Sequence, residues 1–209
     1  DREKNAGAVT PSREEEGSAP ESHDPARDPP EAWRRNVARK FAAARQYVRR
    51  MRAYGGLKFA GCSESFLDAL PSRSDGHGWE VFCFGTNNMK AMREQAPVFH
   101  DAKLAHPPIL SNLFRMDQQG LSVLVGRIIK WQVSHDLPLT RPRAAWIYAV
   151  LACVEKPITD EVASLLRSLA RRCRDTWSAL PDPDDARIPI LHILYVIVCD
   201  GFNQGKHLF

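Results

Sequence analysis

Long apolar runs are scarce in this sequence of 209 residues. The longest extends from Ile188 to Cys199, which is far short of the ~20 residues that a membrane-spanning helix needs. The N-terminus is acidic and proline-rich, whereas a signal peptide is basic and then apolar. We therefore expect no membrane partner. The hydrophobic content of 44% is enough for one core of ordinary size.

Catalytic and metal-binding motifs are also missing. The seven histidines form no H-E-x-x-H and no i,i+4 pair, and the chain has no Walker loop, no G-x-G-x-x-G and no G-x-S-x-G. Asp182, Asp184 and Asp185 lie in a proline turn, where a solvated loop is expected. The sequence thus predicts no enzyme, no catalytic residue, no metal site and no cofactor.

Cysteine is present in small and odd number. None of the five cysteines belongs to a C-x-x-C pair, and three of them lie in helical patterns where a small buried thiol fits. A reduced, cytosolic or nuclear setting is the economical interpretation.

Charge is distributed unevenly, although the net charge is only +4. Residues 1–30 carry four cations against eight anions, a net charge of −4, and residues 31–53 carry eight cations against one anion, a net charge of +7. The first segment also contains five prolines and no aromatic residue. This composition predicts a disordered acidic tail over 1–30, next to a strongly basic segment.

The basic segment has the periodicity of a helix over residues 31–54. Its apolar residues recur at spacings of three and four and so form one stripe: Trp33, Val37, Phe41, Ala44 and Val48. Three roles stay open, namely docking of the stripe in a protein groove, contact of the cations with RNA, and a merely solvated surface. Docking is favoured because the helix lacks exposed aromatic residues between its cations for base stacking.

Helical patterns dominate the rest of the chain. Residues 55–105 are predicted to be an extended linker with a short aromatic element at Gly78–Gly85, and residues 106–209 a helical domain. The domain's helices are expected from Asp117 to about His135, from Arg143 to Glu155, after the N-cap Thr159, and after Pro189. The predicted class is all-α: a helical-bundle C-terminal domain with a separate N-terminal basic helix on an extended linker.

The final helix is apolar on nearly every face, from Ile188 to Val198. Such a helix must be covered all round. Two interpretations stay open: the helix lies in the middle of the bundle, or another protein covers one side of it.

The run from Trp146 to Pro157 is an apolar helical segment that Pro157 ends, and it resembles the gemin/SIP family of SMN-interacting proteins, to which the second gemin belongs. The resemblance covers most of residues 31–204. Further similar elements follow in the same order: Trp33, Phe41, Arg45, Gln46, Val48 and Arg52; Gly78-Trp79 with Phe82-Cys83; Pro107-Pro108-Ile109-Leu110-Ser111 with Arg115-Met116; Leu165 to Cys173; and Asp185-x-Arg187-Ile188-Pro189.

This resemblance implies a non-enzymatic scaffold, an assembly chaperone of the SMN complex. Such proteins hold a five-membered Sm complex (F, E, G and the two D subunits) for spliceosomal snRNP assembly and bind an amphipathic helix from the N-terminal region of SMN. The implied Sm-contacting residues are Trp33, Val37, Phe41, Arg45, Val48 and Arg52. The implied SMN-contacting residues are Arg143, Trp146, Ala149, Val150, His192, Tyr195, Val196 and Cys199.

The resemblance further implies a location in the cytoplasm and in nuclear bodies, with RNA contacted at most indirectly. It predicts that replacing Trp33 and Phe41 by Ala weakens Sm binding and leaves the C-terminal fold intact. The alternative function is a basic helical RNA-binding adaptor, for which the isolated chain would bind RNA with a steep dependence on salt.

Overall fold

A computed structural model describes residues 27–55, 70–85, 105–134 and 138–207. Regular structure in these ranges is entirely helical, which confirms the predicted all-α class. The α-helices of the described ranges are α1 (Glu31–Ala53), α2 (Gly76–Phe84), α3 (Leu110–Phe114), α4 (Gln118–Ser134), α5 (Arg141–Cys153), α6 (Asp160–Ala179) and α7 (Ile188–Val196). Helix α7 continues into a π-helical turn at Ile197–Gly201, here called the π-turn, and a 3-10 turn follows at Gly205–His207.

Local sequence signals set the ends of the body helices. The Thr159 hydroxyl accepts a hydrogen bond from the Val162 N–H at 3.3 Å, so it caps α6 as predicted. Proline stands in the first turn of α5 and of α7, where its missing N–H costs no helical hydrogen bond. The four helices predicted for the body are therefore present within a few residues of their expected bounds.

The core of the body lies between four helices. Helix α4 packs against α5 and α6, and α7 packs against α6 and α5. The largest fully buried side chains include Leu121, Ile128, Ile147, Leu166 and Trp177. None of the helices in the described part of the chain is long and apolar enough to cross a membrane.

The C-terminal part of helix α7 is buried by the chain itself, which supports the intramolecular interpretation of the final helix. Its residues Leu194, Tyr195 and Val196 are buried, and burial continues through the π-turn to Cys199. Helix α6 covers one side, and α1 supplies cover on another, since it packs against α7, the π-turn and α5. The predicted basic helix is thus the missing part of the bundle.

The apolar stripe of α1 is the reason that it packs on the body. Phe41 is 1% exposed and Val48 is 6% exposed. The Phe41 ring meets Tyr148 edge-on at 5.4 Å and lies 6.2 Å from Phe202. A side-chain carbon at position 201 would come within 3.1 Å of the Phe41 ring, so Gly201 makes the close approach to the π-turn possible. The helix predicted over 31–54 is separate along the chain but packed against the body in space.

The segment before α1 also contacts the body. The Arg27 guanidinium donates hydrogen bonds to the carbonyls of Trp177, Ser178 and Leu180 at 3.2, 2.9 and 2.7 Å. These carbonyls end α6, where helical acceptors lack partners and a cation is favourable. Residues 27–30 therefore belong to the ordered body rather than to the predicted tail, whose residues 1–26 lie outside the described residues.

The predicted linker contains a helix that belongs to the core. Helix α2 buries Trp79, Phe82 and Cys83. The Phe82 ring stacks on His106 at 4.3 Å and meets Trp146 edge-on at 6.1 Å, which fixes α2 against α5. The short aromatic element was therefore predicted at the right place, but it is a packed helix. The parts of the linker at 56–69 and 86–104 lie outside the described residues.

Replacing Phe41 by Ala should lower the free energy of unfolding by about 3–5 kcal/mol, because a fully buried ring leaves a cavity between α1 and the body. Urea unfolding followed by circular dichroism measures this change. Tyr47→Ala on the exposed side of α1 is the matched control and should change stability by less than about 0.5 kcal/mol. Equal stabilities of the two variants would mean that α1 does not pack on the body in solution.

Candidate functional site

Most of the predicted binding residues lie where α1 crosses the body. Arg45 is buried there, and its guanidinium donates to the Leu151 carbonyl at 2.9 Å and to the Val154 carbonyl at 2.7 Å. Both carbonyls lie at the C-terminal end of α5, so Arg45 caps that helix with two of its fixed donors. Burial lowers the pKa of Arg45 from its ordinary value, and the positive charge of Arg49 lowers it further.

Arg52 makes the same kind of contact two turns later. Its guanidinium donates to the carbonyls of Leu113 and Met116 at 3.1 and 3.2 Å, near the C-terminal end of α3, and lies 5.5 Å from the Phe114 ring. Arg45 and Arg52 share a face of α1 because they stand seven residues apart. Together with Phe41 and Val48, they use the predicted Sm-contacting face of α1 to hold the helix on its own body.

An aromatic cluster joins the start of α1 to α6 and α7. His192 lies between Trp33, with ring centroids 6.0 Å apart, and Trp177, at 4.6 Å. Tyr195 meets the Trp177 ring edge-on at 5.0 Å. Burial raises the pKa of Tyr195 to about 12 and lowers that of His192, so both side chains stay neutral near pH 7. His192 therefore lies at an interface between helices of the same chain.

The eight predicted SMN-contacting residues do not share one surface. The Arg143 guanidinium lies 4.8 Å from the Phe84 ring of α2, and the Trp146 indole donates to the His106 carbonyl at 3.0 Å. Both are buried, as are Val150 and Val196, and Ala149 is partly exposed. The contacts of Arg143 and Trp146 lie toward α2, whereas those of His192 and Tyr195 lie toward α1 and α6. The assignment of all eight to SMN stays a prediction, and these burials leave few of them accessible to a partner.

In the part of the chain that the structure describes, α1 is bordered by two open clefts that bear on the predicted sites. The first, here called the tyrosine cleft, has a volume of about 520 Å³ and is lined by Arg34, Tyr195, Cys199, Asp200, Asn203, Gly205 and Lys206. It contains two of the predicted SMN-contacting residues, Tyr195 and Cys199. The Arg34 guanidinium pairs with Asp200 at 2.9 Å and lies 5.8 Å from the Tyr195 ring. The tyrosine cleft thus combines an aromatic wall with a charged rim.

The second cleft, here called the arginine cleft, has a volume of about 500 Å³ and lies along the middle of α1. Its cationic lining comes from Arg39, Arg45, Arg49 and Lys156, and Asp200 is its acidic residue. Burial lowers the pKa of Lys156, and the charges of Arg45 and Arg49 lower it further. The cleft is therefore a site of concentrated positive charge.

The sequence interpretation did not single out Arg39, Arg49 or Lys156, and it expected no exposed aromatic residues among the cations of α1. That expectation was wrong for Tyr47, which is 51% exposed, and for Tyr54, which is 73% exposed. At 3.6 residues per turn, both lie about 120–140° around the helix from Phe41. The available signal was their helical phase relative to the apolar stripe.

The thiols in the described part of the chain are buried and protonated. Burial raises the pKa of Cys153 and Cys199 to about 11 and that of Cys173 to about 12. A thiol nucleophile needs a lowered pKa, so these cysteines have a structural role. Among the described residues, no three His, Cys, Asp or Glu side chains are grouped to hold a metal ion.

Comparisons with known proteins agree with one another. A family model described as Survival motor neuron (SMN) interacting protein 1 (SIP1) matches residues 1–205. The chain is 30% identical over 194 residues to Gem-associated protein 2 of Mus musculus, covering 89% of this chain and 67% of the relative. It is 28% identical over 181 residues to Gem-associated protein 2 of Xenopus laevis, covering 82% of this chain and 66% of the relative. The chain thus spans about two thirds of the length of these relatives.

A solved structure shares the fold. One chain of "The 8S snRNP Assembly Intermediate" superposes with a TM-score of 0.62 at 22% sequence identity. The match covers 99% of this chain and 87% of that chain.

Replacing Arg45 by Met should lower the free energy of unfolding by roughly 2–4 kcal/mol, because two carbonyls at the end of α5 lose a charged donor. Arg49→Met, one turn later and exposed, is the matched control and should stay within about 0.5 kcal/mol of the parent. Thermal and urea unfolding of the three proteins provide the measurement. A parent-like Arg45→Met variant would contradict the capping role of Arg45.

Proposed function

The chain belongs to the SIP1 family of SMN-interacting proteins, and from this premise we propose that it is a non-enzymatic assembly factor of the SMN complex. It holds a five-membered Sm complex for spliceosomal snRNP assembly and binds a helix from the N-terminal region of SMN, in the cytoplasm and in nuclear bodies. The family match over residues 1–205 is the observation that carries this proposal. The protonated state of the described cysteines supports a binding role rather than thiol chemistry.

The tyrosine cleft is the surface that we propose for the SMN helix. It brings the predicted residues Tyr195 and Cys199 to an opening of about 520 Å³, a size that accepts a few anchoring side chains. Arg34, Asp200 and Lys206 lie at its charged rim and can fix the register of an amphipathic helix. A partner can enter this cleft while α1 stays in place on the body.

The Sm complex is contacted, in this proposal, by the outer surface of the body. The side chains of Phe41, Arg45 and Val48 are buried against the body, so a partner reaches them only if α1 leaves it. Detaching α1 exposes the apolar face of α7, which is costly in water. The half-buried Trp33, Val37 and Arg52 are the predicted Sm-contacting residues that keep accessible surface, and their role stays a prediction.

Isothermal titration calorimetry of this chain with the N-terminal amphipathic helix of SMN tests the first part. We expect saturable binding that Lys206→Glu weakens severalfold, since it reverses a charge at the rim of the tyrosine cleft. Lys130→Glu makes the same charge change at an exposed position of α4 and should bind like the parent. Absence of binding by the parent would contradict the SMN-binding role. Equal changes in affinity for the two variants would mean that the SMN helix does not bind in the tyrosine cleft.

The choice of variant matters because Tyr195 is only 5% exposed. A Tyr195→Asp change would bury a carboxylate against Trp177 and would report on folding before it reported on binding. Lys206 is exposed, so its replacement leaves the aromatic cluster intact.

Size-exclusion chromatography with the purified five-membered Sm complex tests the second part. We expect co-elution of the chain with the complex, and we expect the exposed single variant Lys206→Glu to co-elute as well, because the Sm complex does not use the tyrosine cleft. Separate elution of the parent chain and the Sm complex would contradict the Sm-holding role of this chain.

A further inference from the structure

We propose that the outer face of α1, together with the arginine cleft, binds single-stranded RNA. Arg39, Arg49 and Lys156 contact phosphates, and Tyr47 and Tyr54 stack on bases. This goes beyond the protein contacts proposed above, and only the choice of RNA over DNA rests on the proposed role in snRNP assembly.

Several cations on the outer face of α1 have no acidic partner among the described residues. Arg39, Lys40, Arg49 and Arg50 are exposed on α1, and no acidic residue in the described part of the chain forms an ion pair with any of them. Elsewhere in the described ranges, Arg73 pairs with a carboxylate at 2.7 Å, as Arg34 does at 2.9 Å. The outer face of α1 therefore has a local excess of positive charge that a polyanion can neutralise.

The arginine cleft extends this charge onto the body. Lys156 lies in the loop after α5, and its ammonium donates to the Gly201 carbonyl, which leaves further N–H donors of that group for a ligand. Arg45 lies on the floor of the arginine cleft. Two of its nitrogens already donate to the carbonyls at the end of α5, so its contribution to the cleft is its positive charge. Asp200 is the acidic residue of the lining and pairs with Arg34 at 2.9 Å, so the four cations of the cleft face a single carboxylate. Burial lowers the pKa of Lys156, and the nearby charges of Arg45 and Arg49 lower it further, in keeping with the concentration of cations in this cleft.

Exposed tyrosines decide between RNA and an acidic protein segment. Tyr47 and Tyr54 are two of the three large apolar side chains that are exposed in the described part of the chain. Arg50 lies between them at positions that share a face of the helix, i, i+3 and i+7. The seven-residue spacing places the two backbone positions about 10 Å apart along the helix axis, which is the length of about three stacked nucleotides. An acidic peptide needs only the cations, whereas single-stranded nucleic acid uses cations and aromatic faces together.

Fluorescence anisotropy with a labelled oligouridine tests the proposal on the full chain. A length of about 15 nucleotides is at the upper end of the site sizes known for single-strand-binding folds. The triple variant Arg39→Ala, Arg49→Ala and Lys156→Ala should reduce the slope of log K against log salt by about 2, since each phosphate contact contributes about 0.7. The control triple variant Lys130→Ala, Arg141→Ala and Arg171→Ala removes the same charge from exposed positions of other helices and should keep the parent slope. Circular dichroism confirms that each variant is folded.

Tyrosine variants test base stacking separately. Tyr47→Ala and Tyr54→Ala should each weaken binding about fivefold or more, whereas Tyr47→Phe and Tyr54→Phe keep the ring and should bind like the parent. Alanine variants that bind like the parent would overturn the stacking assignment. Equal slopes for the two triple variants would overturn the phosphate assignment.

Competitors test the class of partner. Displacement of the oligouridine by a polyglutamate peptide of equal charge at equal concentration would overturn RNA in favour of an acidic protein segment. Equally tight binding of the matching oligodeoxyuridine would overturn the commitment to RNA. Both measurements use the chain without SMN or Sm proteins, so a failure here leaves the calorimetric test of the SMN helix unaffected.

Discussion

The docking of α1 is the constraint on which the rest of the structure depends. Three guanidinium groups, those of Arg27, Arg45 and Arg52, donate to carbonyls near the C-terminal ends of α6, α5 and α3. Each places positive charge where the helix dipole and the unpaired carbonyls favour it. Phe41 and Val48 fill the space between these contacts. Apolar burial supplies the stabilisation, and the arginines select one position of α1 on the body.

This docking also determines what surface is left for partners. The apolar stripe of α1 packs against α7 and the π-turn, so Leu194 to Cys199 are buried within the chain itself. The surface that stays accessible to partners combines polar and apolar groups. It consists of a cleft beside Tyr195 with a charged rim, and of a cationic face of α1 with the arginine cleft beside it. Specificity at such surfaces comes from charge and shape more than from apolar area. Asp200 lines both clefts, so partners that bind in the two clefts would lie close together.

The secondary structure was largely predictable because its signals are local. Thr159 caps α6, Pro189 lies in the first turn of α7, and the stripe from Trp33 to Val48 follows helical periodicity. The site was less predictable. Arg45 and Arg52 were predicted to contact Sm proteins, and in the structure both donate to carbonyls of the same chain. Sequence pattern cannot distinguish a guanidinium that binds a partner from one that caps a helix of the same chain. The exposure of Tyr47 and Tyr54 was not predicted, because the apolar stripe defines only the face of α1 that is buried.

The sequence by itself determined the all-α class, the bounds of the main helices, the uneven charge and the family to which the chain is related, since these depend on neighbours along the chain and on ordered motifs. Tertiary structure alone decided that α1 covers α7, that residues 27–30 and α2 belong to the body, and that Lys156 joins Arg39 and Arg49 in one cleft. Most of these features pair residues more than a hundred positions apart, and their free energy arises only when the complementary surfaces meet. An apolar stripe in the sequence specifies that one face of a helix must be buried. The tertiary structure decides which element buries that face.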